Sequence, residues 1–143
     1  MTDYSRTRYG LANILAYLQT QLATQSTWST RVVACEQDLD KVFRILDTVQ
    51  PPGVLLITDE CAAGPVDQMD RMGVATLVPF TRKLTTITAN VSALQTMEEA
   101  ILTLFDFQID HNVLYKFRDS KGFPLDRWSG VVATKLRLSI EDN

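Results

Sequence analysis

One histidine, two cysteines and six glycines are all that this 143-residue chain offers of the residues that most often build metal, redox or phosphate sites. His111 stands alone in QIDHNV, and no HxH, HExxH or CxxC spacing accompanies it. That removes the usual sequence signs of a zinc centre. Cys35 and Cys61 lie far apart, so they read as thiols in a reducing compartment and not as a disulfide framework. The glycines at 10, 53, 64, 73, 122 and 130 never take nucleotide-loop spacing, and no GxSxG elbow occurs. No window approaches the roughly 18 consecutive apolar residues that would mark a membrane-spanning helix. The opening MTDYSRTRYG lacks the apolar core of a secretion leader, which points to action in the cytosol or in a particle assembled there. A net charge of -3 and a pI near 5.1 argue against non-specific nucleic-acid binding, which needs clustered Lys and Arg.

What is present is an ordinary globular composition, 45% hydrophobic and 22% charged, in a length that suits one domain. Residues 1–8 are polar and expected to be mobile, with a single α+β domain over 9–143. Leu11, Ile14, Leu15, Leu18 and Leu22 recur at helical spacing between Gly10 and Ala23. RVVACE at 31–36 reads as a short strand, and Asp38 as the cap of a short helix carrying Leu39, Val42, Phe43 and Leu46. GVLLI at 53–57 reads as a strand buried on both faces.

A loop is expected over 60–73, then a β-rich stretch from Val74 to Thr88. Leu84 and Ile87 fall out of phase there, so a bulge or break is expected near Pro79–Lys83, with Pro79 at an edge or at that irregularity. Ser92 and Gln95 form a capping box for a helix with Leu94, Met97, Ile101, Leu104 and Phe105 inward, Val91 as its staple, Glu98 and Glu99 facing water, and an end near Phe107. Asn112–Arg118 reads as a strand, DSKG at 119–122 as a turn, and the chain from Ser129 or Gly130 as a last alternating strand. In it Thr134, Leu136, Leu138 and Ile140 face the core, while Lys135, Arg137 and Ser139 face water or a partner. The fold class expected is α+β: a mixed, mainly antiparallel sheet with helices packed on one face.

Chemistry is thin. Asp59, Glu60, Asp67 and Cys61 are the best candidates for an enzyme site, and a convergence of Cys35, Cys61 and His111 is the only thiol arrangement on offer. Solvated loops and buried thiols explain these residues more simply, so no catalytic, cofactor or metal residue is assigned. Candidate protein-interface residues are Trp28 and Trp128, large aromatics in connector sequence, Asp67, Met69 and Arg71 of the loop, and Arg127, Lys135 and Arg137. For the tryptophans, a place on the rim of the core is the competing reading.

The sequence resembles the tail terminator proteins of long-tailed bacteriophages. The first helix, PPGVLLITDE, GVATLVPFTRKLTTITA, VSALQTMEEAILTLFDF, and Trp128–Ser129 followed by VVATKLRLSIED resemble, in that order, the family's first helix, proline-led strand, long strand, helix laid across the sheet, and closing strand. RVVACEQDLDKVFRIL departs from the shortest members, which place a hairpin there, and leaves the topology of 31–50 open. The resemblance implies a structural protein without cofactor or catalytic residue. It would form a homo-oligomeric ring, commonly a hexamer, on the head-proximal end of the tail tube. It would contact the major tail tube protein and a head-completion or neck protein, with no sequence-specific nucleic acid and no membrane as partner. Its place would be the virion tail, assembled in the host cytoplasm. Other head–tail connector, neck or tail completion proteins, and a non-viral cytosolic protein-binding module, are the alternative readings.

Overall fold

In the computed structural model the described residues are 11–29, 31–36, 38–58, 61, 72–110, 113–122 and 130–142. Helical spacing of apolar residues gives α1, Leu11–Leu22, which buries Ile14, Leu18 and Leu22 completely. Strand β1, Val32–Cys35, follows, then α2, Leu39–Thr48. Asp38 caps α2 as expected, its carboxylate accepting from the amide of Asp40 at 3.0 Å. Strand β2, Gly53–Ile57, is buried along its whole length and runs parallel to β1. Residues 31–57 are therefore a β–α–β crossover, not a hairpin, because a helix must carry the chain back to start a parallel strand.

Strand β3, Met72–Arg82, leads to α3, Ile87–Phe105, then β4, Gln108–Asp110, β5, Val113–Gly122, and β6, Val131–Asp142. The sheet has six strands in the order β1-β2-β3-β6-β5-β4, and every pair except β1–β2 is antiparallel. The chain is thus an α+β fold with a mixed, mainly antiparallel sheet. Helix α3 lies across β3, β6 and β5.

Alternation along the strands sorts the core into two clusters. Leu56, Leu77, Leu136, Leu138 and Tyr115 face α1 and α3. Leu55, Ile57, Val78, Phe80, Val131 and Ala133 face the other way and pack with Val42 and Leu46 of α2. The helices thus divide between the two faces. One consequence corrects the reading of β6: Lys135 is buried, at 8% exposure, because it shares its face with Val131 and Ala133 in the region near α2. Leu136, Leu138 and Ile140 are core as expected, whereas Thr134 is half-buried and donates through Oγ1 to Glu98 at 2.9 Å. Glu98 accordingly turns to the sheet instead of to water.

Further expectations hold only in part. The break expected near Pro79–Lys83 is the end of β3 at Arg82, but β3 has no bulge, and Pro79 lies inside it between β2 and β6 instead of at an edge. The missing proline N–H is absorbed where the β3–β6 pairing lapses at Val78 and Pro79 and resumes in the same register at Phe80. The bulge falls instead in β5, between Phe117 and Asp119, and residues 119–122 continue that strand instead of turning. Helix α3 begins ahead of the Ser92 capping box. Thr86 is its cap, with Oγ1 accepting from the Ala89 amide at 3.1 Å, which leaves Val91 exposed inside the helix. It ends at Phe105, and Phe107 adopts a left-handed backbone with φ 60°.

Gly53 tests how tightly the β–α–β unit closes. A methyl group there would lie 2.5 Å from the Phe80 ring and 2.8 Å from the Arg31 carbonyl oxygen, which already accepts from the Val54 amide at 2.9 Å. The backbone oxygen cannot swing aside. Gly53→Ala is expected to cost about 1–3 kcal/mol through overpacking, read as a lower urea midpoint. Gly122→Ala, where an added methyl meets nothing within 4 Å, should show no comparable loss.

Candidate functional site

The residues expected to form an interface do not come together. Trp28 is fully buried, and its indole Nε1 donates to the Leu22 carbonyl at 2.8 Å, so it closes the end of α1 and is not a surface anchor. Lys135 is buried as described above. Asp67, Met69, Arg71, Arg127 and Trp128 lie outside the described residues, as do residues 1–8, Asp59, Glu60 and His111. Cys35 and Cys61 are both buried, in different core clusters, and Thr58 bonds to the backbone of each: its Oγ1 donates to the Cys35 carbonyl at 3.2 Å and its carbonyl accepts from the Cys61 amide at 3.4 Å. Among the described residues no group of three or more His, Cys, Asp or Glu side chains converges, and no helix is long and apolar enough to cross a membrane.

Arg137 is where expected on β6, but its guanidinium is engaged. Nε donates to Asp119 Oδ1 at 2.7 Å, and Nη2 donates to Oδ2. The β5 bulge creates this pair. Without the extra residue between Phe117 and Asp119, Arg118 would stand opposite Arg137, and the shift brings Asp119 there instead. The hydrogen bond from Arg137 is the main reason the Asp119 carboxyl is held below the usual carboxylate range. Burial opposes it, and the charges of Arg137, Arg118 and Lys121 add smaller downward contributions.

A depressed folded-state pKa means the pair contributes above the ordinary aspartate pKa and loses its contribution as pH falls through the folded value. Both side chains are about a third or more exposed, so the effect on overall stability is small. Arg137→Gln is expected to move the Asp119 titration up toward the ordinary carboxylate range, followed by carboxyl-carbon NMR. An unmoved titration would remove Arg137 as the cause.

Two open hollows mark the surface. One of about 460 Å³ is lined by Ala34, Cys35, Glu36, Lys41, Arg44, Ile45 and Thr58, where β1 meets α2, with Lys41 paired to Glu36 at 2.7 Å on its rim. The other, about 330 Å³, lies between α1 and β4 and includes Tyr17 and Asp110. Burial first, and the Asp110 charge second, raise the Tyr17 hydroxyl above its ordinary pKa. That favours a neutral phenol packed against Tyr115 at 4.9 Å and Phe105 at 5.6 Å.

The more informative surface feature is apolar. Leu84, Ile87, Val91, Phe107, Ile109 and Phe117 are the large hydrophobic residues exposed among those described. Leu84, Ile87 and Val91 lie at the start of α3 and Phe107 and Ile109 just past its end, whereas Phe117, in phase with Tyr115, points to the opposite sheet face from Ile109, which pairs with Leu114. Leu84, Ile87 and Val91 cluster at its start, where the Asn90 carboxamide accepts from the Leu84 amide at 2.6 Å and donates back to the Leu84 carbonyl at 3.5 Å. This clamp fixes the turn ahead of the helix, where Leu84 is 45% and Ile87 82% exposed.

At the other end, Phe107 follows the helix and is 67% exposed, Ile109 lies on β4, and Phe117 lies next to the bulge. The Phe117 amide donates to Asp106 Oδ1 at 2.8 Å, and the Lys116 ammonium sits 5.9 Å from the Phe107 ring centre. Reading the sequence missed both groups, since apolar residues at helical or strand spacing read as core. The one available signal was that Leu84 and Ile87 do not share a strand phase.

A scan against models of known protein families finds no match to this chain, and a search of curated proteins finds none either.

Proposed function

We propose that the chain is a structural protein of a long-tailed bacteriophage virion. It closes the head-proximal end of the tail tube as a ring of identical copies, stops tube growth, and presents the surface that the head-completion or neck protein meets. The observation that carries this reading is architectural. The stretches on which the family resemblance rests become α1, β2, β3, α3 and β6, in that order, and the three strands join one sheet that α3 crosses. The exposed apolar residues Leu84, Ile87, Val91, Phe107 and Ile109 fit a protein whose task is to bind neighbours.

The work assigned to the protein is binding, so it needs no cofactor and no general acid or base. The test is genetic and visual. Phage lacking the gene should make tails of uncontrolled length that do not join heads, and negative-stain microscopy of the purified protein should show rings of uniform diameter. Normal virions from the deletion strain would overturn the reading.

A further inference from the structure

We infer that the hollow between α1 and β4 is a binding site for an alkyl guanidinium group, either the side chain of an arginine presented by a partner or a free alkylguanidine. The site stands whether or not the chain works in a virion tail.

The hollow measures about 330 Å³, at the small end of ligand-binding cavities. One wall is α1. Asn13, Ala16, Tyr17, Thr20 and Gln21 follow helical spacing along one side of it, next to the buried stripe of Ile14, Leu18 and Leu22. The other wall is β4, through Asp110. Strand register sets the direction of that side chain. Asp110 stands opposite Val113, which belongs to the core cluster facing α1 and α3, and opposed residues of an antiparallel pair point to the same side.

The charge of the hollow decides what it accepts. Among the described residues, Asp110 is the only charged side chain that lines it. Residues 11–29, which include the whole of α1, carry no charged side chain at all. Lys116 follows Tyr115 on β5, so it points to the opposite face of the sheet, where it pairs with Glu141 at 3.2 Å. The field in the hollow is therefore negative. Its reach is visible at Tyr17, whose hydroxyl is raised above its ordinary pKa by burial first and by the Asp110 charge second. An anionic ligand is excluded on the same ground, and a cation is drawn in.

The lining selects a guanidinium among cations. A carboxylate offers about four lone-pair positions, so hydrogen bonds within the fold do not exhaust Asp110. The carboxamide oxygens of Asn13 and Gln21 and the Thr20 hydroxyl add acceptors along the α1 wall. Acceptors spread over two walls suit a donor with several N–H groups in one plane. A guanidinium has that form and takes a carboxylate with two parallel bonds, whereas an ammonium is a compact point charge. The Tyr17 ring, fixed against Tyr115 at 4.9 Å and Phe105 at 5.6 Å, supplies apolar surface for the alkyl stem. Ala16 and Thr20 are exposed, so the hollow is open to a group arriving from outside.

The test titrates the full chain with butylguanidinium at low ionic strength, followed by amide chemical shifts. Saturable shifts are expected at the residues that line the hollow, with millimolar affinity that weakens as salt is added. Asp110→Asn keeps the shape and removes the charge, and should weaken binding about tenfold or more. Thr20→Arg puts the chain's own guanidinium into the hollow from an exposed position of α1, where arginine is the better helix former, and should abolish binding without lowering the melting temperature. Butylammonium should bind about threefold or more weakly than butylguanidinium.

Absence of saturable shifts with butylguanidinium overturns the inference, as does either variant binding it like the wild type, or butylammonium binding as tightly. The acetylated and amidated tripeptide Gly-Arg-Gly distinguishes the two sources. Binding at least as tight as that of butylguanidinium assigns the site to a partner's arginine, and much weaker binding assigns it to a free alkylguanidine.

Discussion

A chain ending before Lys135 is expected to show no cooperative unfolding transition at all. Strand β6 is not a margin of the sheet; it lies between β3 and β5 and pairs with both along most of its length. Removing residues 135–143 takes out Leu136, Leu138 and Ile140, none more than 1% exposed. At about 1.5–3 kcal/mol for each fully buried aliphatic side chain, that loss is about 5–9 kcal/mol. Domain stabilities are about 5–15 kcal/mol in total, so most or all of the margin is gone from burial alone. The cut also strips hydrogen-bond partners from two interior strands and uncovers Phe105 and Tyr115 beneath them. Circular dichroism on heating and amide-proton dispersion read the result. A sharp melt with dispersed amide signals would show that β6 is dispensable.

That expectation was legible in the alternation of VVATKLRLSIED, because a period of two with large aliphatics on one side has few readings other than a half-buried strand. What alternation cannot tell is whether the second side is also covered. The side carrying Lys135 looked polar from residues 135, 137 and 139, yet Val131 and Ala133 on the same side belong to a second cluster closed by α2. The sequence shows that α2 has an apolar stripe but not which face of a sheet receives it. That depends on the parallel pairing of β1 with β2, a contact between segments separated by a whole helix.

The start of α3 illustrates a different limit. LTTIT is β-branched and reads as strand, while Ser92 with Gln95 offers a plausible later cap. Both signals are local and weak. The Thr86 cap prevails with help from the Asn90 carboxamide, which closes onto Leu84 across the turn, a bond that exists only once the helix has formed. The same event turns Ile87 and Val91 outward. Their role as surface residues was hidden because pattern reading assigns apolar residues to the core by default. The bulge in β5 was equally silent, although its cause is electrostatic and simple in retrospect: it replaces a facing Arg118–Arg137 pair with Asp119–Arg137.

Trp28→Ala is expected to be the most damaging single side-chain truncation, lowering stability by about 3–5 kcal/mol. The side chain is the largest among those fully buried, and it sits with Leu18 and Leu22 of α1 in the cluster that faces α1 and α3. Its indole N–H meets the Leu22 carbonyl, one of the last carbonyls of α1 that have no partner within the helix. The residue therefore fills volume and ends a helix at once. The connector is tied further along by the Arg31 amide donating to the Trp28 carbonyl at 2.6 Å, so the substitution also loosens the entry to β1.

Trp28→Phe separates the two contributions. It keeps most of the ring and removes the donor, and should cost about 0.5–1.5 kcal/mol, the usual net contribution of one hydrogen bond, because the Leu22 carbonyl still accepts from the Gln25 amide at 3.1 Å. Chemical denaturation decides between this role and that of an interface anchor. A core residue shifts the unfolding midpoint independently of protein concentration. An interface residue would leave the monomer midpoint in place and change only association.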